Sequence, residues 1–135
     1  MSQLTHATAV DLLQRLRRRE LSSVELLDAF IARIEQHDGA VNAVVVRDFD
    51  RARGRARAAD AARARGESWG PLHGLPITVK ESFDLPGTPT TWGITAYKDN
   101  VATQAAVAVQ RLHDAGAIVF GKTNVPVALA DWQSF

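Results

Sequence analysis

Two segments at the start of the chain place their apolar residues at helical spacing. Residues 8–18 begin with the pattern T-x-x-D and residues 22–38 with S-x-x-E, and both patterns supply side chains for the free amides of a first helical turn. Leucine, isoleucine and valine recur on one side of each segment. The pattern therefore predicts a helical hairpin over residues 8–38 with a buried seam.

Three later runs of β-branched and apolar residues predict strands, at residues 41–46, at residues 77–79 leading into Lys80, and at residues 117–120. Pro76 lacks an amide proton, so it suits the first position of the second strand. The irregular segment 82–93 is predicted to be a packed loop, because apolar side chains are interleaved within it. These side chains are Phe83, Leu85 and Trp92.

Two more helices are predicted between the strands. The first begins near Asp48 or Asp50, continues to residue 65 and ends at Gly66, with its alanines on one stripe and its arginines elsewhere. The second spans residues 103–115. Because it lies between two strands, it predicts a right-handed parallel crossover.

Composition narrows the class of protein. The chain has 135 residues, 46% of them hydrophobic, with 16 Lys and Arg against 15 Asp and Glu, which suits one folded α/β domain without a strong overall field. An arginine-rich helix can follow nucleic-acid phosphates, but the near-neutral balance favours a solvated helix with its alanine face on the sheet. We expect neither a nucleic-acid nor a membrane partner. The absence of cysteine, of a signal-peptide pattern and of a long apolar run suits the cytoplasm.

Lys80 is the principal candidate for chemistry. It ends an apolar strand and enters the following turn, which is where open α/β sheets place ligands and reactive groups. For an isolated lysine, a solvated strand end is the simpler interpretation. The flanking sequence, residues 70–81 (GPLHGLPITVKE), reverses that preference.

Three blocks of the sequence resemble the amidase signature family: residues 70–81, residues 84–93 with Asp84, Gly87 and PTTWG at 89–93, and residues 115–124 (AGAIVFGKTN). Their order and spacing make the likeness specific. The resemblance implies the N-terminal part of the amidase signature fold, an α/β architecture with a mixed β-sheet core flanked by helices and opening with a helical hairpin. We expect a single partial domain over residues 1–135, with the hairpin at 8–38 and the sheet-forming part at 41–135.

The resemblance also implies amide-bond hydrolysis through a Ser–cis-Ser–Lys triad, in which Lys80 is the general base. A lysine accepts a proton only as a neutral amine, and burial among apolar neighbours favours that form. The family needs no metal and no cofactor, so none is expected here. The implied partner is a small-molecule amide substrate.

Both serines of the triad lie, in the family, in glycine-rich segments of the Gly-Gly-Ser type, and neither segment occurs in this sequence. We therefore assign the nucleophile to none of the serines and expect an N-terminal fragment of an amidase that is inactive alone. The serines are Ser2, Ser22, Ser23, Ser68, Ser82 and Ser134.

Two alternative functions stay open. The chain could belong to the A subunit of a glutamine-dependent tRNA amidotransferase, although residues 90–93 and 125–131 look more like the free-standing amidases. It could instead be a non-catalytic α/β interaction module. In an incomplete sheet, the strands of Ile77, Val79 and Ile118 would have unpaired edges, which predicts association through those edges.

Two further patterns are not interpreted as sites. Residues 116–123 match the spelling of a phosphate-binding loop, but the four middle residues read as a strand rather than a loop. The histidines are scattered over different elements, so no metal site is expected. His37 is interpreted as a helix-end residue and His73 as a backbone-bonding or packing residue, whereas His6 and His113 receive no role.

Overall fold

A computed structural model describes residues 4–130 of the chain. Its helices and strands are α1 (Ala9–Arg17), α2 (Ser23–His37), β1 (Val44–Arg47), α3 (Phe49–Ala64), β2 (Pro76–Lys80), α4 (Val107–Asp114) and β3 (Ile118–Thr123). The strands form one sheet in the order β1-β3-β2, in which β1 is antiparallel and β2 parallel to β3. The predicted α/β fold with a mixed sheet is confirmed.

Both helices of the hairpin are capped at their N-termini, α2 by the complete reciprocal pattern and α1 by half of it. The Ser22 hydroxyl accepts the Glu25 amide at 3.1 Å, and the Glu25 carboxylate accepts the Ser22 amide at 2.9 Å. At α1 the Thr8 hydroxyl accepts the Asp11 amide, but it also donates to the Asp11 carboxylate, which does not reach the Thr8 backbone. Leucines of α1, the connecting turn and α2 pack together with a leucine preceding β2, so the predicted seam is buried.

Helix α3 lies on the sheet through its alanines. Ala52, Ala56 and Ala59 are at most 2% exposed and pack with residues of α2 and with Ile118 and Phe120 of β3. Small side chains permit this close approach because nothing on them projects between helix and strand. Gly66 ends the helix with φ of 81°, a left-handed conformation that glycine adopts without a steric penalty.

Arginines of α3 bind acceptors within this chain. Arg51 donates to the carbonyl of Pro86, Arg53 to the carboxylate of Asp28, Arg55 to the carbonyl oxygens of His113 and Ala117, and Arg63 to the carbonyl of His73. Arg55 also lies over the Trp69 ring at 4.7 Å. The arginines thus join α3 to its neighbours, which agrees with the interpretation as a structural helix.

Two predicted starts were wrong by several residues. β1 begins at residue 44 rather than 41, because the Asn42 amide bonds the Asp38 carbonyl at 2.7 Å and holds a turn there. Helix α4 begins at residue 107 rather than 103. Its preceding residue, Ala106, is extended, with ψ of 144°, and donates its amide to the carbonyl of Asp84 at 3.0 Å.

The position of β3 in the sheet also differs from expectation. β3 continues to residue 123, beyond the predicted end at 120, because it pairs with β1 on one side and β2 on the other. The strand of Ile118 is therefore paired on both sides over residues 121–123, where an unpaired edge was predicted, whereas Ile118 itself pairs with β2. In the described part of the chain, β2, which contains Ile77 and Val79, has a neighbour on one side only.

Candidate active site

The turn before β2 is held by His73, which is shielded from solvent at 7% exposure. Its Nδ1 accepts the amide of Trp69 at 2.9 Å, so Nε2 carries the proton and donates to the carbonyl of Ala59 at 2.8 Å. The rings of Trp69 and His73 stack with their centroids 5.0 Å apart. His73 thus has the backbone-bonding and packing role that was predicted for it.

Gly74 shows why this turn requires glycine. Its φ is 80°, and a Cβ atom there would overlap the Ser23 hydroxyl oxygen and lie 2.8 Å from an Arg63 nitrogen. Its amide donates to the carbonyl of Gly116 at 2.9 Å. The turn is therefore pressed between α2, α3 and the residues that lead into β3, and this sets where β2 begins.

Lys80 lies at the carboxyl end of β2, opposite Thr123 of β3. The Phe83 amide donates to the Lys80 carbonyl at 3.0 Å, so the chain turns immediately after the strand. The side chain of Lys80 is exposed and has no hydrogen-bond or ion-pair partner among residues 4–130. The expected burial of this lysine is therefore absent from the described chain, because no element packs over the end of β2 where it projects.

The lysine that is buried is Lys122 of β3, which is 0% exposed. Its ammonium group donates to the carbonyl of Pro89 and, at 2.9 Å, to the hydroxyl of Thr90. Burial lowers the pKa of Lys122 below its ordinary value, although the nearby Glu81 and Asp84 carboxylates act in the opposite direction. Sequence reasoning gave Lys122 no role.

Glu81 is a second buried charge at the same end of the sheet, at 4% exposure. Its two carboxylate oxygens accept the amides of Thr91 at 2.5 Å and Trp92 at 2.9 Å. Its own amide donates to the carbonyl of Thr123 at 2.9 Å and so continues the pairing of β2 with β3 by one residue. Sequence reasoning also gave Glu81 no role; the signal available was an acidic residue directly after a strand and ten residues before a turn with free amides.

The loop between β2 and α4 is only partly packed as predicted. Leu85 is buried, whereas Phe83 and Trp92 are 40% and 43% exposed. Trp92 has φ of 55°, which is unusual for a residue with a side chain. The prediction of a packed loop therefore holds at Leu85 and not at Phe83 and Trp92, whose side chains are exposed.

Three of the four serines within residues 4–130 have local structural contacts. Ser22 caps α2, Ser23 is fully buried with its amide bound to Asp60, and the Ser68 hydroxyl accepts the amide of Gly70. Ser82 is half-buried in the turn after β2. Ser2 and Ser134 lie outside the described residues.

Other predicted features can be placed as well. The phosphate-loop spelling at residues 116–123 falls largely on β3 rather than on a loop that opens a helix. Between residues 4 and 130, no three His, Asp or Glu side chains are arranged to hold a metal ion. None of the helices in that range has the length and apolar character needed to cross a bilayer.

Comparison with known proteins identifies relatives of the chain. A family model described as Amidase matches residues 25–133. The amidase of Pseudomonas putida is 42% identical over 124 residues, which are 92% of this chain and 26% of that protein. The A subunit of the glutamyl-tRNA(Gln) amidotransferase of Moorella thermoacetica is 43% identical over 123 residues, covering 91% of this chain and 25% of that protein.

The fold has solved counterparts too. A bacterial aryl acylamidase described as one of the amidase signature enzymes matches with a TM-score of 0.85 and 30% identity, over 90% of this chain and 26% of its own. The chain thus spans about a quarter of the length of the proteins it matches.

Proposed function

Because the chain belongs to the amidase signature family, we propose that it supplies the lysine base of an amide-hydrolysing site and that Lys80 is this base. One observation carries the assignment. Lys80 ends β2 within the motif of residues 70–81, and its amino group has no partner among residues 4–130. Lys122, the other lysine at this end of the sheet, is enclosed and already bonded.

In the proposed reaction, the neutral amine of Lys80 takes a proton from a bridging serine, which takes one from the nucleophilic serine. The nucleophilic serine attacks the amide carbonyl of the substrate. The proton taken up by Lys80 is then returned to the nitrogen of the substrate, and the amine product leaves. Water then hydrolyses the acyl-enzyme ester and releases the acid. Backbone amides stabilise the oxyanion in both steps.

The remaining groups of this site are not in the chain. No Gly-Gly-Ser segment occurs in the sequence, so we propose that the chain alone does not hydrolyse amides. The serine-bearing part would also cover Lys80, and the resulting loss of solvent would favour the neutral amine.

A chimera tests the proposal. The matching quarter of the Pseudomonas putida amidase is replaced by this chain, and hydrolysis of a simple aryl amide is measured for the parent chimera, for Lys80→Ala and for Lys98→Ala. Lys98 is exposed and lies in the loop before α4, so its loss should leave kcat/KM unchanged. Lys80→Ala should lower kcat by roughly a thousandfold or more, since a triad member is removed.

Two outcomes would contradict the proposal. One is an active chimera in which Lys80→Ala is as active as Lys98→Ala; this would show that Lys80 is not the base. The other is Lys80-dependent hydrolysis by the 135-residue chain alone.

An amidotransferase A subunit is a second candidate, because the Moorella thermoacetica relative is as similar as the amidase. Both candidates use the same base, so Lys80→Ala does not separate them. A chimera built on the Moorella protein and assayed for conversion of glutamyl-tRNA separates them: activity only in the amidase chimera would favour the free-standing enzyme.

A further inference from the structure

Lys122 is the largest fully buried side chain among residues 4–130. A buried lysine is rare unless it is paired, yet no carboxylate in that part of the chain lies within 4.0 Å of its amine. Its bonds go instead to the carbonyl of Pro89 and the hydroxyl of Thr90. A desolvated charge is therefore used to hold one short segment of loop.

Glu81 holds the next two residues of the same loop. Its carboxylate accepts the amides of Thr91 and Trp92, whereas Lys122 donates to the two residues before them. Lys122 thus donates to acceptors of residues 89 and 90, and Glu81 accepts the amides of residues 91 and 92. We call Glu81 and Lys122 the loop clamp.

Strand register connects the loop clamp to Lys80. Lys122 pairs with Val79, and Lys80 pairs with Thr123. Paired residues share a face of the sheet and successive residues alternate, so Lys122 lies on one face and Lys80 on the other. Glu81, one residue after Lys80, returns to the face of Lys122. Because Lys80 precedes Glu81 directly, the contacts that hold Glu81 also hold the backbone of Lys80.

The loop that is held contains a strained residue. Trp92 has φ of 55°, and such a conformation persists only where surrounding contacts impose it. The Trp92 amide bonds Glu81, and its carbonyl accepts the amide of Ala128 at 2.8 Å. Removing part of the clamp should therefore release the loop rather than leave it in place.

We propose that Lys122 is a positioning residue of the amide-hydrolysing site: through residues 89–92 and Glu81 it fixes the end of β2 and hence the direction of Lys80. This inference rests on the proposed function of Lys80. Lys122 is not itself assigned as a base toward Thr90, since both side chains are at most 4% exposed and a substrate carbonyl cannot reach the hydroxyl.

The absence of cysteine provides a selective test on the 135-residue chain. Lys122→Cys is alkylated in denaturant and refolded, once with 2-bromoethylamine, which rebuilds a lysine-like amine, and once with 1-bromopropane, which gives the same length without the amine. Lys98→Cys, treated identically, is the matched control at an exposed lysine. Amide exchange is measured by mass spectrometry over residues 89–93, with residues 52–59 of α3 as the internal reference.

The propyl form should exchange about 10- to 100-fold faster over residues 89–93, because bonds from a charged donor are lost. The aminoethyl form should return to within about threefold of the parent, since it restores those bonds. The backbone amide NMR signals of Lys80 and Glu81 should shift in the propyl form and return in the aminoethyl form. Neither alkylated form of Lys98→Cys should show these changes.

The inference is overturned if the propyl form exchanges like the parent, or if the loop opens while the Lys80 and Glu81 signals stay in place. If the propyl form does not refold, Thr90→Val removes one acceptor only and should accelerate the same amides by several-fold; unchanged exchange in that variant would overturn the inference. None of these measurements depends on hydrolysis. Failure of the activity test of Lys80 can therefore be distinguished from failure of this inference.

Discussion

Glu81→Gln isolates the acidic half of the loop clamp. The Glu81 carboxylate is 4% exposed and accepts two amide protons, at 2.5 Å from Thr91 and 2.9 Å from Trp92. A carboxamide has the same shape but only one acceptor oxygen, so its amino group would face one of the two amides. We expect the loop to open locally more often, with α3 and the sheet intact.

The magnitude follows from the bonds that are lost. A hydrogen bond to a charged group contributes about 1.5–3 kcal/mol, and a buried amide left unpaired costs about 1–3 kcal/mol. Since one acceptor is retained, we expect a net change of about 2–4 kcal/mol in the local opening free energy. At about 1.4 kcal/mol per factor of ten, exchange should accelerate roughly 30- to 700-fold.

Amide exchange over residues 90–93 is the assay, and Asp99→Asn is the matched control. Asp99 is an exposed carboxylate of the same loop, and within residues 4–130 its side chain makes no hydrogen bond or ion pair, so its loss should change exchange about twofold or less. The reasoning would be refuted if Glu81→Gln protected the loop as well as the parent does, or changed it only as much as Asp99→Asn.

Three further predictions concern the framework of the site. Burial acts to raise the pKa of Asp38, but hydrogen bonds from two amides and an arginine outweigh it and lower that pKa. The stability that this group contributes is therefore present above the unfolded pKa of about 3.9 and is lost as pH falls through the lower folded pKa. The difference in urea midpoint between the parent and Asp38→Asn should narrow from pH 7 to pH 3, and a constant difference would contradict the prediction. Gly74→Ala should lower the free energy of unfolding in urea by about 2–4 kcal/mol, because alanine disfavours the left-handed φ and its Cβ would clash with a buried hydroxyl of α2. Gly39→Ala has open space around the new methyl group and should not have this effect. Equal losses in the two variants would be inconsistent with this explanation. Asp60→Ala should lower the free energy of unfolding by about 2–4 kcal/mol, because the Asp60 carboxylate accepts hydrogen bonds from two amides at the start of α2 and pairs with an arginine. The control Asp50→Asn changes a fully exposed carboxylate and should unfold at the urea midpoint of the parent. A larger loss in Asp50→Asn than in Asp60→Ala would refute this role of Asp60.

The contrast between Lys80 and Lys122 shows the limit of local patterns. Each lysine follows a short apolar run near the end of a strand, and the neighbouring residues predict the same environment for both. The family resemblance implies burial for Lys80, whereas the buried lysine among residues 4–130 is Lys122. Position in the sheet makes the difference, since within residues 4–130 β3 is the central strand and β2 is bonded on one side only.

The local elements and the family could be predicted from the amino-acid sequence. Capping patterns, the alanine stripe, glycine stops and the motif of residues 70–81 depend on neighbours a few positions away, so they can be read along the chain. Strand order, the start of α4, the end of β3 and the burial of Glu81 and Lys122 could not be predicted in this way. Each of these depends on a contact between residues distant in sequence, such as the bond from Lys122 to Thr90 across 32 positions, and no local pattern carries such a contact.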